Sequence, residues 1–214
     1  YWAIINKYTD IITLLLNNKN NNISFNNEIF IEACEGGCTE VIIKCLENGV
    51  DPSIKNDLCI RKAAGFGLTK IVKMLLKNDK VNPAVDDNHA IRWSAYNGHV
   101  KVVQLLLKDN RVDPCVVQNG PFRWACEFGH PHVAKLLLND PRINPCDREN
   151  FAVVQASAKG HIEIVKLLLN DKRIDPSVKN NDAIVNASSN GHISVVELLL
   201  NDKRVDPSAE NNAA

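Results

Sequence analysis

A glycine recurs at Gly37, Gly67, Gly98, Gly129, Gly160 and Gly191, in steps of 30, 31, 31, 31 and 31 residues. A second column keeps the same register: Asp51-Pro52, Asn82-Pro83, Asp113-Pro114, Asn144-Pro145, Asp175-Pro176 and Asp206-Pro207, every step being 31. Two columns in phase across most of a 214-residue chain constrain the fold more than any other feature. A unit this short cannot bury an apolar face alone, so neighbouring units must stack to make a core.

Each unit reads as two short helices and a turn. After the glycine comes an amphipathic run such as His99 to Asp109, where Val102, Val103, Leu106 and Leu107 recur at helical spacing. Before it lies a shorter helix, "AIRWSAYN", closed by Gly98 in the left-handed conformation that ends helices. Two adjacent positions of this helix stay small: Ala63, Ser94, Ala125, Ala156 and Ala187, beside Ala64, Ala95, Cys126, Ser157 and Ser188. Small side chains there let neighbouring helices approach closely. The Asp/Asn-Pro dipeptide then opens a turn and stops any preceding helix.

The run "GHxxVVxLLL" and the segment Glu47 to Ser53, "ENGVDPS", resemble ankyrin repeats, and the resemblance covers essentially the whole chain. It implies an all-α solenoid of about seven stacked helix-turn-helix units with short hairpin turns. The units would end near residues 17, 47, 77, 108, 139, 170 and 201, forming one array over 1–214. "HAIR" at His89 to Arg92 and "DAIV" at Asp182 to Val185 replace the family's Thr-Pro-Leu-His opening, and the 31-residue period implies clipped hairpin tips. The Asn-rich turns are similar to those of ankyrin proteins of giant DNA viruses and amoebae. Trp2 shares the Trp93 column and the chain stops where a first helix should begin, so a segment of a longer array is expected.

Composition narrows the function. Twenty-five basic residues balance 25 acidic ones, which argues against a nucleic-acid binder and against an anionic membrane surface as partner. No apolar run approaches the roughly 20 residues that span a bilayer. Seven cysteines without framework spacing fit reduced thiols and a cytoplasmic location, host cytoplasm for a viral protein. The chain shows no phosphate loop, nucleophile elbow or zinc motif outside the repeat columns, so no enzyme activity, cofactor or metal is expected.

Several columns invite a chemical reading and have a plainer one. His99, His130, His161 and His192 are too far apart for one metal, since packed helices lie about 8–10 Å apart; each should start a second helix and bond to backbone. Cysteines in stacked positions are likewise too distant for disulfides and read as packing residues. Asn27, Asp57, Asn88, Asn119, Asn150, Asn181 and Asn212 are expected to cap the helices that follow them. Asp109, Asp140, Asp171 and Asp202, each two residues before an arginine, should form a solvated ladder of weak ion pairs. "NNKNNN", residues 17–22, reads as a polar loop.

One position varies freely. Five residues before each glycine stand Glu32, Lys62, Trp93, Trp124, Gln155 and Asn186, with Trp2 in the same column. It shares a helix face with the two residues ahead of the glycine. The fold does not dictate this residue, and by resemblance that face lines the family's concave groove. Phe66, Trp93, Tyr96, Trp124 and Phe128, with Arg92 and Arg123 beside them, are therefore the expected partner-binding residues. The expected function is a non-catalytic, monomeric scaffold for a protein partner. The alternative is a substrate-recognition module of a larger protein with a catalytic or ubiquitin-ligase adaptor domain elsewhere.

Overall fold

The computed structural model of the chain describes residues 24–206, which form twelve helices and no strand. Trp2, the 17–22 loop and Asn212 lie outside the described residues. The helices come in six pairs: α1 (Asn27–Gly36) with α2 (Thr39–Glu47), α3 (Ile54–Gly65) with α4 (Thr69–Leu75), and α5 (Val85–Tyr96) with α6 (Val100–Leu107). Then follow α7 (Val116–Glu127) with α8 (Pro131–Leu138), α9 (Asp147–Ala158) with α10 (Ile162–Leu169), and α11 (Val178–Ser189) with α12 (Ile193–Leu200).

The chain divides into two compact units, Tyr1–Ser94 with Lys101–Asp113, and Ala95–Val100 with Pro114–Ala214. In the first unit α1 packs on α2 and α3, and α4 packs on α2 and α3. In the second, α9 lies against α7 and α11, while α10 lies against α8 and α12. First helices thus stack on first helices and second on second. The apolar spacing explains the buried face: Val102, Val103 and Leu106 are fully buried, as are Val133, Ala134 and Leu137 one unit on. The small-residue column is buried too, from Ala63 and Ala64 to Ala156 and Ser157.

All six column glycines have φ between 71° and 78°, the left-handed geometry their place at helix C-termini requires. Three of them have a second duty. A Cβ on Gly98, Gly129 or Gly160 would come within 2.5, 2.8 or 2.6 Å of the ring of His130, His161 or His192. Each of those rings reaches back to the layer before it, Nε2 bonding the carbonyls of Tyr96, Glu127 and Ala158 at 2.7, 3.0 and 3.0 Å. A carbonyl only accepts, so Nε2 carries the proton. The histidines do bond to backbone, but to that of the preceding layer.

From Asp57 to Asn150 the Asn column does not cap helices, while Asn27 opens α1, whose cap is Asn26 accepting from the Ile29 N–H. Asp57, Asn88, Asn119 and Asn150 each close a turn of three successive left-handed residues, 55–57, 86–88, 117–119 and 148–150, with φ of 49° to 58°. Asn and Asp tolerate this region best, which explains the third position. Their side chains reach the following layer: Oδ1 of Asp57, Asn88, Asn119, Asn150 and Asn181 accepts from the N–H of Asn82, Asp113, Asn144, Asp175 and Asp206, at 2.9–3.4 Å. Asn119 also donates through Nδ2 to the Asp147 carboxylate.

The Asp–Arg pairs are likewise more than a solvated ladder. Arg111, Arg173 and Arg204 pair with Asp109, Asp171 and Asp202 at 2.5–2.6 Å. The same guanidinium groups donate to two carbonyls of the preceding layer, Val81 and Leu76, Ile143 and Leu138, or Ile174 and Leu169. The arginine bonds hold each aspartate carboxyl below its usual range. Such a fork satisfies carbonyls that end a helix and ties two layers at once.

No disulfide joins any of the seven cysteines. Cys34, Cys38, Cys45, Cys59 and Cys126 are buried packing residues, as expected. Spacing by 31 does not cover Cys34 and Cys59, which lie 25 apart and share a hydrogen bond that, with burial, pushes the Cys34 thiol far up. Burial pushes Cys45 up to about 11. Burial thus keeps Cys34 and Cys45 as protonated thiols. Cys115 and Cys146 donate to the carbonyls of Arg142 and Arg173 in the following layer.

Candidate functional site

The first helices carry the variable residues on the side away from the small-residue column. In the first compact unit these are Phe66, at the end of α3, and Trp93 on α5. Both are large apolar side chains left exposed, 44% and 40% respectively. Gly65 lies beneath Trp93, a Cβ there being 3.9 Å from that of the tryptophan. On its own helix Trp93 stacks on His89, the ring centroids 5.6 Å apart and the planes at 27°. Four residues separate the two, which puts them on one helix face.

His89 was not singled out from the sequence, where it stands only as part of "HAIR". Its Nδ1 is buried with no hydrogen-bond partner. Burial pulls its pKa down to about 4, opposed by Asp86 and assisted by Arg61, Arg92 and Lys62. The ring is therefore neutral at physiological pH and serves Trp93 as an apolar platform.

In the second compact unit Tyr96, Trp124 and Phe128 form a cluster of their own. Tyr96 meets Trp124 edge-on at 6.2 Å and lies against Phe128 at 4.3 Å. Phe128 remains 43% exposed, and Tyr96 and Trp124 are half-buried. Edge and tilted pairs at these distances are favourable and fix one another's rotamers. The Tyr96 carbonyl is the acceptor for His130, so the layer-joining histidine also holds the end of the helix that presents the tyrosine.

Arg92 and Arg123 have a different place from the one expected. With Arg61 they form a column that braces the left-handed turns. Nε donates to the carbonyl five residues back and the terminal nitrogen to the one six back: Asn56 and Lys55, Asp87 and Asp86, Gln118 and Val117. Arg123 is only 5% exposed, its guanidinium 5.1 Å from the Phe151 ring centroid, and burial lowers its pKa. It supports the turn and is not placed to touch a partner. The sequence carried no sign of this, since the arginine column lapses to Val154 and Val185 much as the tryptophan column lapses to Gln155 and Asn186.

Among the described residues no group of three His, Cys, Asp or Glu side chains is placed to hold a metal ion, and no helix is long and apolar enough to cross a membrane. What the first helices offer is exposed aromatic surface at Phe66, Trp93 and Phe128, with charged residues such as Lys62 and Glu127 beside it.

Comparison with curated proteins finds no match. A family model described as ankyrin repeats (3 copies) matches residues 30–118, 60–148 and 122–211. Those ranges cover most of the chain and both compact units, and they coincide with the helix pairs and glycine-closed first helices described above: the chain belongs to the ankyrin repeat family and folds as an all-α ankyrin solenoid.

Proposed function

We propose that the protein is a non-catalytic interaction module that binds a protein partner through the aromatic residues of its first helices. Ankyrin repeats are generally protein–protein interaction modules, and the observation that carries the reading here is the exposure of Phe66, Trp93 and Phe128. The same column turns to Gln155 and Asn186 further along the chain. A packing requirement repeated in every layer would keep that position apolar, and these layers fold without it. Rigid aromatics at exposed positions are the residues that dominate interface energetics. Phe66 and Trp93 in one unit, and Tyr96, Trp124 and Phe128 in the other, are the proposed contacts; Arg92 and Arg123 hold the turns behind them. Thiols kept protonated by burial suit a reducing compartment such as the cytoplasm.

The test compares proteins retained on the immobilised chain with those retained on Trp93→Ala and Trp124→Ala, and on Gln155→Ala and Asn186→Ala as controls. The tryptophan variants should lose a bound species that the control variants keep, each truncation costing about 2 kcal/mol or more of binding, while melting stays cooperative. Equal retention by all four would remove the aromatic site.

A further inference from the structure

The layer-joining arginine is missing from one layer, and its aspartate partner with it, while one of the carbonyls that such an arginine serves is left over. Lys80 occupies the column of Arg111, Arg173 and Arg204, and Asn78 that of their partner aspartates. Asn78 keeps the turn, its Oδ1 accepting from the Lys80 N–H at 3.0 Å. The side chain of Lys80 is exposed and, among the described residues, forms no hydrogen bond or salt bridge, although its charge helps to keep the Asp51 carboxyl low. In the other layers the guanidinium donates to the carbonyl just before the Asp/Asn-Pro dipeptide, at 2.9 Å to Val81, 3.3 Å to Ile143 and 2.7 Å to Ile174. The corresponding carbonyl here is that of Val50, and no donor among the described residues reaches it.

A hollow of about 300 Å³ lies at this place, its wall including Leu46, Val50, Asp51, Met74, Asn78 and Lys80. The corresponding hollow in the later layer is lined by Leu138, Asn139, Asp171 and Arg173, and does not extend to Ile143, Asn144 or Pro145. Asp51 supplies the negative charge. Its Oδ1 accepts from the Ser53 N–H and hydroxyl, and these bonds hold its carboxyl below the usual range, so it is ionised. Leu46 and Met74 offer apolar walls of the kind that cover the methylene stem of a long cationic side chain.

We propose that this hollow receives the side chain of an arginine from a protein partner, its guanidinium donating to the Val50 carbonyl as the chain's own arginines donate to the matching carbonyls elsewhere, and facing the Asp51 carboxylate, which stands in for the aspartate that pairs with those arginines. Guanidinium suits the place because its planar fork can serve a carbonyl and a carboxylate together, which a lysine ammonium does not match. Lys80 sits at the rim with like charge and sets the affinity low. The proposal uses none of the aromatic residues and stands apart from the site above.

The experiment titrates the full chain with acetyl-glycyl-arginyl-glycinamide, and with its citrulline and lysine counterparts, following the Val50 and Asp51 amides by NMR. The arginine peptide should shift both amides, and the neutral citrulline peptide should bind about tenfold more weakly or worse. Lys80→Arg places the chain's own guanidinium in the hollow; it should melt higher than the parent and lose the peptide response. Lys80→Ala removes the repelling charge and should bind the arginine peptide several-fold more tightly. A citrulline peptide as good as the arginine one, no shift with any peptide, or Lys80→Arg responding like the parent would each overturn the proposal.

Discussion

From Asp147 to Asp206 every position that can join one layer to its neighbour is filled. His161 and His192 sit over Gly129 and Gly160, Arg173 and Arg204 bridge to helix-end carbonyls, and Asn150 and Asn181 hold the following turn. From Asn27 to Lys80 the same columns hold Cys38 and Leu68 in place of histidine, and Gly49 and Lys80 in place of arginine. Gly37 there faces the ring of Phe66, 3.2 Å from a notional Cβ. The apolar core is as well buried in both regions, with Ile42, Ile71, Ile164 and Leu168 all inaccessible. Burial therefore builds a layer in either region, and the polar columns decide how it is fastened to the next. Where a column lapses, acceptors and surface are left over for other uses.

The largest test of this difference is glycine substitution. Gly160→Ala meets a left-handed cost of roughly 1–2 kcal/mol and an overpacking cost of about 1–3 kcal/mol against His192. Gly37→Ala meets the first cost and only the edge of a half-exposed phenylalanine. Thermal or denaturant melting should show Gly160→Ala less stable than Gly37→Ala by at least about 1 kcal/mol. Equal losses would mean that the histidine seat contributes nothing.

The arginine columns come next. Arg173→Ala gives up its bonds to Asp171 and to the carbonyls of Ile143 and Leu138, and should cost about 2 kcal/mol, in the range for hydrogen bonds to charged groups. Lys80→Ala, which loses no such bond, should stay within about 0.5 kcal/mol of the parent.

A third effect lies just past the earlier region, at His89. The pKa of His89 is depressed to about 4 in the folded state by burial, from an ordinary 6.5. The unfolded chain then binds more protons between those values, so the contribution is complete above pH 6.5 and is lost as pH falls through about 4. Partial exposure of the ring limits it to about 1–2 kcal/mol. His89→Phe should flatten that part of the stability–pH curve; an unchanged slope would mean that another group titrates there.

The smallest effect sits in the Asn column, where Asp57 replaces the usual asparagine. Burial raises its pKa in the folded state despite the hydrogen bond from Asn82. The folded state then holds the proton more tightly, so Asp57 reduces stability as pH rises from the unfolded value through the folded one. Asp57→Asn should be slightly more stable than the parent at pH 7, with the gain gone at pH 3. A loss at neutral pH would show that the charge helps.

The period and the amphipathic runs made the layers, the helix pairs and the glycine-closed ends legible before any coordinates. The partners of the columns were not, because a strict period hides whether a side chain bonds within its own unit or to the one beside it. Asn150 looks like a helix cap in sequence, and only its 25-residue reach to Asp175 shows otherwise. The left-handed turns were hidden for another reason: Arg148 and Glu149 or Val117 and Gln118 are not residues that favour that geometry. The variable column pointed to Trp93, which is exposed, but the sequence did not show that Arg123 beside it is interior, because its bonds to the backbone of its own turn leave no mark in the spacing.

The central claim is that the periodic polar residues join neighbouring layers, and a double-mutant cycle between Gly160 and His192 tests it most directly. The two lie 32 positions apart in sequence, with a notional Gly160 Cβ 2.6 Å from the histidine ring. If the ring causes the clash, His192→Ala should relieve it, so that the double variant is more stable than the sum of the single losses by about 1 kcal/mol or more. Losses that add to within about 0.5 kcal/mol would show two independent sites, and would contradict the account.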